Sequence, residues 1–475
     1  MSKTQNYKSS LLLLTTLFFL WGFITCMNDI LIPYLRKLFS LTRAESMMVQ
    51  FAFFTAYFVG SLIYFIISSR KGDPISKIGY KNGIIAGLLV SAFGSALFYP
   101  AAQIQQFWLF LVALFILALG FTLLQIAANP YVALLGKPET ASSRLNLSQA
   151  FNSLGTTLAP IIGGYLVFHY LAKIGKPLLN SMGQPVLTDS GEPLSALGII
   201  VPYLTFAAIF IVLAIVFAFT KLPEFAGNKV QKGFGALKHK NLVLGMIAIF
   251  LYVGAEVSIG SSFINFAGEL FKMPEMVAKN YLAFYWGGAM IGRFLGSISL
   301  SKLDYEKKKI RMALVSIGTF LLIYAVIFVE SGHALRYMDV APFIILLIAN
   351  YNAFLLGKSL PARTLSIFAG IAIILLALTM AGNGRLALWT LIGVGLFNSI
   401  MWSNIFTLAI KNLGDDTPQG SSLLVMMILG GAILPLIQGF VADKLGGYHY
   451  SYFIPMLSYV YLAYYGMKMK YLDEE

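Results

Sequence analysis

Two carboxylates stand inside otherwise apolar stretches of this 475-residue chain. Asp29 follows LLLLTTLFFLWGFITCMN and precedes ILIPYL; Glu256 lies within LVLGMIAIFLYVGAEVSIGSSFINF. A charge at the centre of a bilayer costs at least about 2.5–3.5 kcal/mol, so an acid kept there faces a polar interior and serves an ion or a polar substrate. The bland alternative is a carboxylate satisfied by neighbouring helices. Thr25, Asn28 and Asp29 share one helical turn, which offers oxygens to a hard cation such as sodium. Proton coupling needs only a titratable acid. Both remain open from the residues alone.

A second set could contact a polar ligand. Side-chain amides both donate and accept hydrogen bonds, and aromatic rings offer stacking surfaces. Gln125 and Asn129 are spaced i, i+4 and Gln149 and Asn152 i, i+3, so each pair shares a helix face. Asn398 and Asn404 follow in the second half, and Trp21, Tyr252 and Trp402 are candidate stacking rings. Each amide serves equally as an interhelical hydrogen bond, and each ring as packing or an interfacial belt. Arg144 in SSRLN and Arg293 in IGRF suit pairing with a carboxylate or helix end in a gate rather than contact with a ligand. Cys26 is the single cysteine, which excludes an intrachain disulfide and a cysteine metal site. No GxxxxGK[ST] loop occurs, so ATP-driven chemistry has no support.

The elements that position these residues are apolar helices. Hydrophobic residues make up 58% and charged residues 11%, against about 25% charged in a soluble domain, and mean hydropathy is +0.78. The chain is therefore expected to be an all-α membrane protein. At about 20 apolar residues per span, the first half gives spans at about 11–35, 47–69, 82–100, 107–135, 145–168 and 198–220. The second gives about 241–267, 278–300, 310–329, 341–357, 363–381, 386–410, 418–439 and 450–468, fourteen in all. The first apolar run continues past signal-peptide length and ends at CMND with no small-residue cleavage site, so it reads as a span.

The net charge of +14 resides in short loops between spans, which points to the lipid surface and away from nucleic acid. Lys and Arg in 70–81, 221–240 and 302–311 fall on one side if both termini are cytoplasmic; Arg36, Lys37 and Arg43 fall outside, against the rule. The stretch 221–240 separates an N-terminal bundle, 1–220, from a C-terminal one, 241–475. Asn129, Gly155, Pro160 and Gly164 recur at an offset of 275 as Asn404, Gly430, Pro435 and Gly439. Parallel repeats around a midplane site are a transporter plan.

The chain resembles the fucose permease and glucose–galactose permease family of the major facilitator superfamily, over nearly its whole length. FFLWGFITCMNDILIP, LLQIAANPYVALLG, SSRLNLSQAFNSLGTTLAPIIGG, LYVGAEVSIGS, IGRFLGS and FNSIMWSNIFTLAIKNLGDDTPQGSSLLVMMILGGAILPLIQGFVAD carry the resemblance. It implies two six-helix bundles, alternating access and secondary active sugar transport. It also implies coupling at the first-helix acid, matching Asp29, and sugar contact from the fourth helix. There Gln125 replaces the glutamate of fucose members, as in the glucose–galactose branch, while Glu256 stands where fucose members have a glutamine. The family has twelve helices, so the two surplus spans read as an added hairpin at about 308–361. The resulting expectation is an inner-membrane monomer importing a neutral hexose with a cation, sodium before proton, and no cofactor. Proton-coupled fucose uptake, amphiphile export and a non-transporting sugar sensor are the alternatives.

Overall fold

Each apolar run folds as a long helix in the computed structural model, which describes residues 8–473 apart from 72–73, 136–140, 180–182, 188–190, 192, 224–234, 301–302, 333–334, 336 and 414–416. The first half contributes α1 (Lys8–Leu38), α2 (Met48–Lys71), α3 (Tyr80–Ala96), α4 (Phe107–Leu134), α5 (Ala141–Tyr165) and α6 (Leu197–Phe219). The second contributes α7 (Lys240–Phe271), α8 (Glu275–Ser299), α9 (Tyr305–Glu330), α10 (Tyr337–Gly357), α11 (Pro361–Ala381), α12 (Arg385–Asn398), α13 (Gly430–Leu445) and α14 (Phe453–Lys468). Helix Met401–Ile410 continues α12, and helix Thr417–Met426 leads into α13.

Among the described residues, twelve helices are long and apolar enough to cross a membrane. The count is two short of the sequence expectation, and the reason is local. Helix α8 carries Glu275, Lys279 and Arg293, and α14 is only 16 residues long. Helices α9 and α10 are both among the twelve. They pack on the second half through Phe343, whose ring lies 5.3 Å from Phe284 and 6.1 Å from Trp389. Asn350 of α10 donates to the Leu396 carbonyl at 3.0 Å.

The internal repeat has a packing cause. Gly155 of α5 lies so close to the Phe19 carbonyl of α1 that a Cβ would not fit, and Gly430 meets the Phe250 carbonyl of α7 in the same way. Close backbone approach through small residues is how membrane helices gain contact without a hydrophobic drive between them. Gly22 against Asn152 and Gly254 against Gly430 repeat the relation. The same spacing that carries Gly22 onto Gly254 carries Asp29 onto Ser261.

Two local devices shape the ends. Pro33 inside α1 has no N–H, so it cannot donate to the Asp29 carbonyl one turn back. The helix Arg43–Ser46 begins with a capping box, in which Thr42 accepts from the Glu45 N–H and Glu45 accepts from the Thr42 N–H. That box fixes Arg43 at the rim, where it meets the other half.

Candidate functional site

Asp29 lies in the last third of α1, buried, at the seam between the two halves. Four groups donate to its carboxylate. Cys26 Sγ of its own helix is 3.3 Å from Oδ2, and Gln50 Nε2 of α2 is 3.2 Å from Oδ1. From the other half, Ser261 Oγ of α7 is 3.2 Å from Oδ1 and Trp286 Nε1 of α8 is 3.1 Å from Oδ2. Gln50 also donates to Ser261 at 2.7 Å. Hydrogen bonds to a charged acceptor contribute about 1.5–3 kcal/mol each, so this cage offsets much of the cost of keeping a carboxylate in the membrane. Thr25 and Asn28 are not among its four donors; Thr25 Oγ1, Asn28 Nδ2 and Gln50 Oε1 are buried without a hydrogen-bond partner.

Glu256 is placed differently. It sits near the middle of the 32-residue α7 and its side chain keeps 12% exposure. Arg293 Nη2 of α8 lies 3.8 Å from Oε1, too long for a hydrogen bond, and Oε1 has no hydrogen-bond partner. Arg293 spends its remaining donors elsewhere. Its Nε donates to the Ser399 carbonyl at the break after α12, at 3.2 Å, and Nη1 donates to Ser153 Oγ of α5. One guanidinium thus faces Glu256, holds a helix break and touches the opposite half.

The amides divide into spent and unspent. Both ends of the buried Asn398 amide are engaged: its Nδ2 donates to Tyr285 at 2.9 Å and its Oδ1 accepts from Tyr459 at 2.6 Å. Tyr252 is buried and donates to the Asn398 carbonyl, so its ring does not face a ligand. Asn404 donates to the Pro361 carbonyl at 3.1 Å, and Asn152 to the Phe18 carbonyl at 3.0 Å. These contacts are interhelical ties. Asn129 is half-buried with Oδ1 unpartnered, and Gln149 is half-buried. Gln125 is buried beside Tyr57, which accepts from Trp21 Nε1 at 3.1 Å. Trp402 is half-buried and stacks on Phe406 with centroids 5.0 Å apart. Arg144 belongs to α5, but its side chain lies outside the described residues.

The basic residues that ran against the charge rule, Arg36, Lys37 and Arg43, have partners across the seam. Glu269 of α7 meets Arg43 Nε at 2.8 Å and Arg36 Nη1 at 3.4 Å. Lys37 pairs with Glu275 of α8. Asp443 of α13 accepts the backbone N–H of Arg43 at 3.0 Å and of Ala44 at 2.9 Å, a carboxylate seated on the first turn of a helix. These contacts draw the end of α1 and the helix Arg43–Ser46 onto α7, α8 and α13. Sequence reasoning missed Gln50, Ser261, Trp286, Glu269, Glu275 and Asp443. The one signal for the acids was an excess of opposite charge on the same outer loops. Lys279, buried in α8 against Gly164 of α5, was missed too.

Residues 12–350 match the family model of the Major Facilitator Superfamily. The chain is 42% identical over 472 residues to a glucose/galactose transporter of Brucella abortus, covering 98% of this chain and 95% of that protein. It is 31% identical over 466 residues to the L-fucose-proton symporter of Escherichia coli, covering 96% and 92%. Among solved structures it superposes on FucP, a major facilitator transporter in the outward conformation, with a TM-score of 0.65, 30% identity and coverage of 98% and 99%.

Proposed function

The chain belongs to the major facilitator superfamily and, within it, to the fucose and glucose/galactose permease family; on that premise we propose that it imports a neutral hexose of the glucose, galactose or mannose type together with sodium. The observation that carries this reading is the contrast between its two intramembrane acids. Asp29 is held by donors from both halves, where an ion's arrival and a change of conformation are felt together. Glu256 is 12% exposed at mid-helix with an oxygen that lacks a hydrogen bond, as a sugar-binding carboxylate would be.

Sodium takes oxygen ligands, and candidates lie beside Asp29. They are its own carboxylate, the carbonyl Pro33 cannot occupy, Ser261 Oγ, Thr25 Oγ1 on the same helix face and the unpartnered Gln50 Oε1. The driving force suffices: one charge crossing ~100 mV contributes ~2.3 kcal/mol, about fifty-fold accumulation before any chemical gradient. The residues proposed to meet the sugar are Asn28, Gln125, Asn129, Gln149, Glu256 and Trp402. Unpartnered Asn28 Nδ2, Asn129 Oδ1 and Glu256 Oε1 form the donor–acceptor mixture a hydroxylated ring needs. Arg293 and Lys279 tie α8 to the opposite half as gate residues. With α8 and α14 counted, we read fourteen spans in two bundles, 1–220 and 241–475. The pair α9–α10 is then an added hairpin, and both termini are cytoplasmic at the inner membrane. A proton-coupled fucose symporter is the second reading, favoured by the likeness to the Escherichia coli protein.

Uptake of a panel of labelled sugars into proteoliposomes tests this directly. Glucose or galactose accumulation driven by an inward sodium gradient supports it. Uptake driven by a proton gradient alone in sodium-free buffer gives the ion to the proton, and dye efflux without sugar uptake ends the sugar reading.

A further inference from the structure

At one end of the α9–α10 hairpin, a cavity of about 340 Å³ opens between the start of α9, the end of α10 and Ser299 of α8. Its polar lining is basic: Lys308, Lys309 and Lys358 line it together with Tyr305 and Ser359. The three ammonium groups differ. Lys309 is paired with Glu306 at 3.0 Å and lies 4.7 Å over the Tyr305 ring. Lys308 donates to Ser359 Oγ at 3.1 Å, and Ser359 in turn donates to the Ser299 carbonyl at 2.6 Å. Among the described residues, no carboxylate pairs with Lys308 or Lys358. Two cations therefore reach the cavity unneutralised.

The backbone is bent to deliver one of them. Lys358 and Ser359, at the turn between α10 and α11, both have positive φ, 52° and 59°. Successive non-glycine residues in the left-handed region are strained, and such strain persists where the surroundings impose it. The flanks of the cavity are apolar and outward-facing. Ile310 and Leu314 of α9 and Leu356 of α10 are each more than half exposed on helices long enough to span a membrane. A freely soluble anion has no use for such flanks, whereas an acyl chain does.

We propose that this cavity binds the phosphate headgroup of an anionic phospholipid, with Lys308 and Lys358 on the phosphate oxygens and the acyl chains along the exposed faces of α9 and α10. A basic pocket between helices at the membrane surface is suited to this chemistry. It gives the hairpin a ligand that neither the sugar nor the coupling ion requires, so its test does not depend on transport. Phosphatidylglycerol serves as the probe. It is titrated into the full-length protein in phosphatidylcholine nanodiscs, with bound lipid counted by native mass spectrometry. Each lysine near an anionic surface contributes roughly five-fold to affinity. Lys308→Gln/Lys358→Gln should therefore weaken phosphatidylglycerol binding by roughly twenty-fold or more, while Lys308→Arg/Lys358→Arg retains it. If the double glutamine variant does not fold in phosphatidylcholine alone, Lys358→Glu, at an exposed side chain, carries the test and should also lose binding. Unchanged affinity in the folded variant overturns the proposal. Inorganic phosphate that displaces phosphatidylglycerol at low millimolar concentration would assign the cavity to a free anion and overturn it as well.

Discussion

Asp29 and Glu256 face one physical problem, a carboxylate kept in a membrane helix, and the protein solves it in opposite ways. Asp29 is buried and receives four hydrogen bonds from α1, α2, α7 and α8. Glu256 keeps 12% exposure, has one guanidinium at 3.8 Å and leaves Oε1 without a hydrogen bond. A group satisfied by both halves cannot keep all its partners when the halves part, so its charge state and the conformation are linked. A group under-satisfied within one half has capacity left for a ligand. On the proposed reading this difference separates coupling from recognition, and mutation can break it.

The largest effect is expected at Asp29. Asp29→Asn removes the charge that a cation must neutralise and sets an amide against four donors. Gradient-driven accumulation should be abolished, while exchange of labelled for unlabelled sugar persists in part. Wild-type accumulation in proteoliposomes made with this variant would take coupling away from Asp29.

Next comes Glu256. If its carboxylate accepts from sugar hydroxyls, Glu256→Gln should weaken sugar affinity by about ten- to a hundred-fold, the loss of roughly one charge-assisted hydrogen bond, and leave the ion dependence in place. Sugar titrations at several sodium concentrations and pH values separate the outcomes. A shifted ion dependence with unchanged sugar affinity at saturating ion would put both acids in one ion site and dissolve the contrast.

Asn398 sharpens it from the other side. Its buried amide bridges Tyr285 and Tyr459, which ties it to neighbouring helices rather than to a ligand. Asn398→Ala orphans the buried Tyr459 hydroxyl, at about 1–3 kcal/mol, while Tyr285 keeps its donation to the Glu256 carbonyl. The expected result is a lowered melting temperature with sugar affinity of the folded protein close to that of the parent. A large loss of affinity with no loss of stability would return Asn398 to the sugar site.

Much of this was legible in the sequence, for physical reasons. A carboxylate in an apolar run costs enough to be conspicuous, which singled out Asp29 and Glu256. Runs of about twenty apolar residues mark helices whatever their partners. The partners were not legible. Gln50, Ser261 and Trp286 are ordinary residues on their own helices, and only the meeting of the halves makes them a cage. The same holds for the amides. Gln125, Asn398 and Asn404 look alike in a sequence, yet Asn398 and Asn404 are consumed by neighbouring helices, because whether an amide has a spare hydrogen bond is decided by tertiary contact. Arg36, Lys37 and Arg43 were read as exceptions to a topology rule, and their placement follows from acids on the other half.

Those outer pairs supply the smallest and most conformation-specific prediction. Glu269 joins Arg36, Arg43 and the Tyr448 N–H, which it accepts at 3.1 Å, and so fastens the outer end of α1 and the helix Arg43–Ser46 to α7. Its side chain is 25% exposed and those of Arg36 and Arg43 are 24% and 20%, so solvent screens the pairs and each is worth at most about 1 kcal/mol. Glu269→Gln, which breaks both pairs, should then raise the population with parted outer ends by about twenty-five-fold at most, and high salt should produce part of the same shift in the parent. Spin labels at Ser40→Cys and Lys272→Cys, both exposed positions near the outer ends of α1 and α7, report the separation. The lone native thiol, Cys26, is buried and bonded to Asp29, which keeps it from competing for label. Parting these ends would separate Ser261 and Trp286 from Asp29, so on the proposed reading the same variant should release the coupling ion more readily. An unchanged distance distribution in Glu269→Gln would mean that the cage at Asp29, and not the rim of ion pairs, holds the outer side shut.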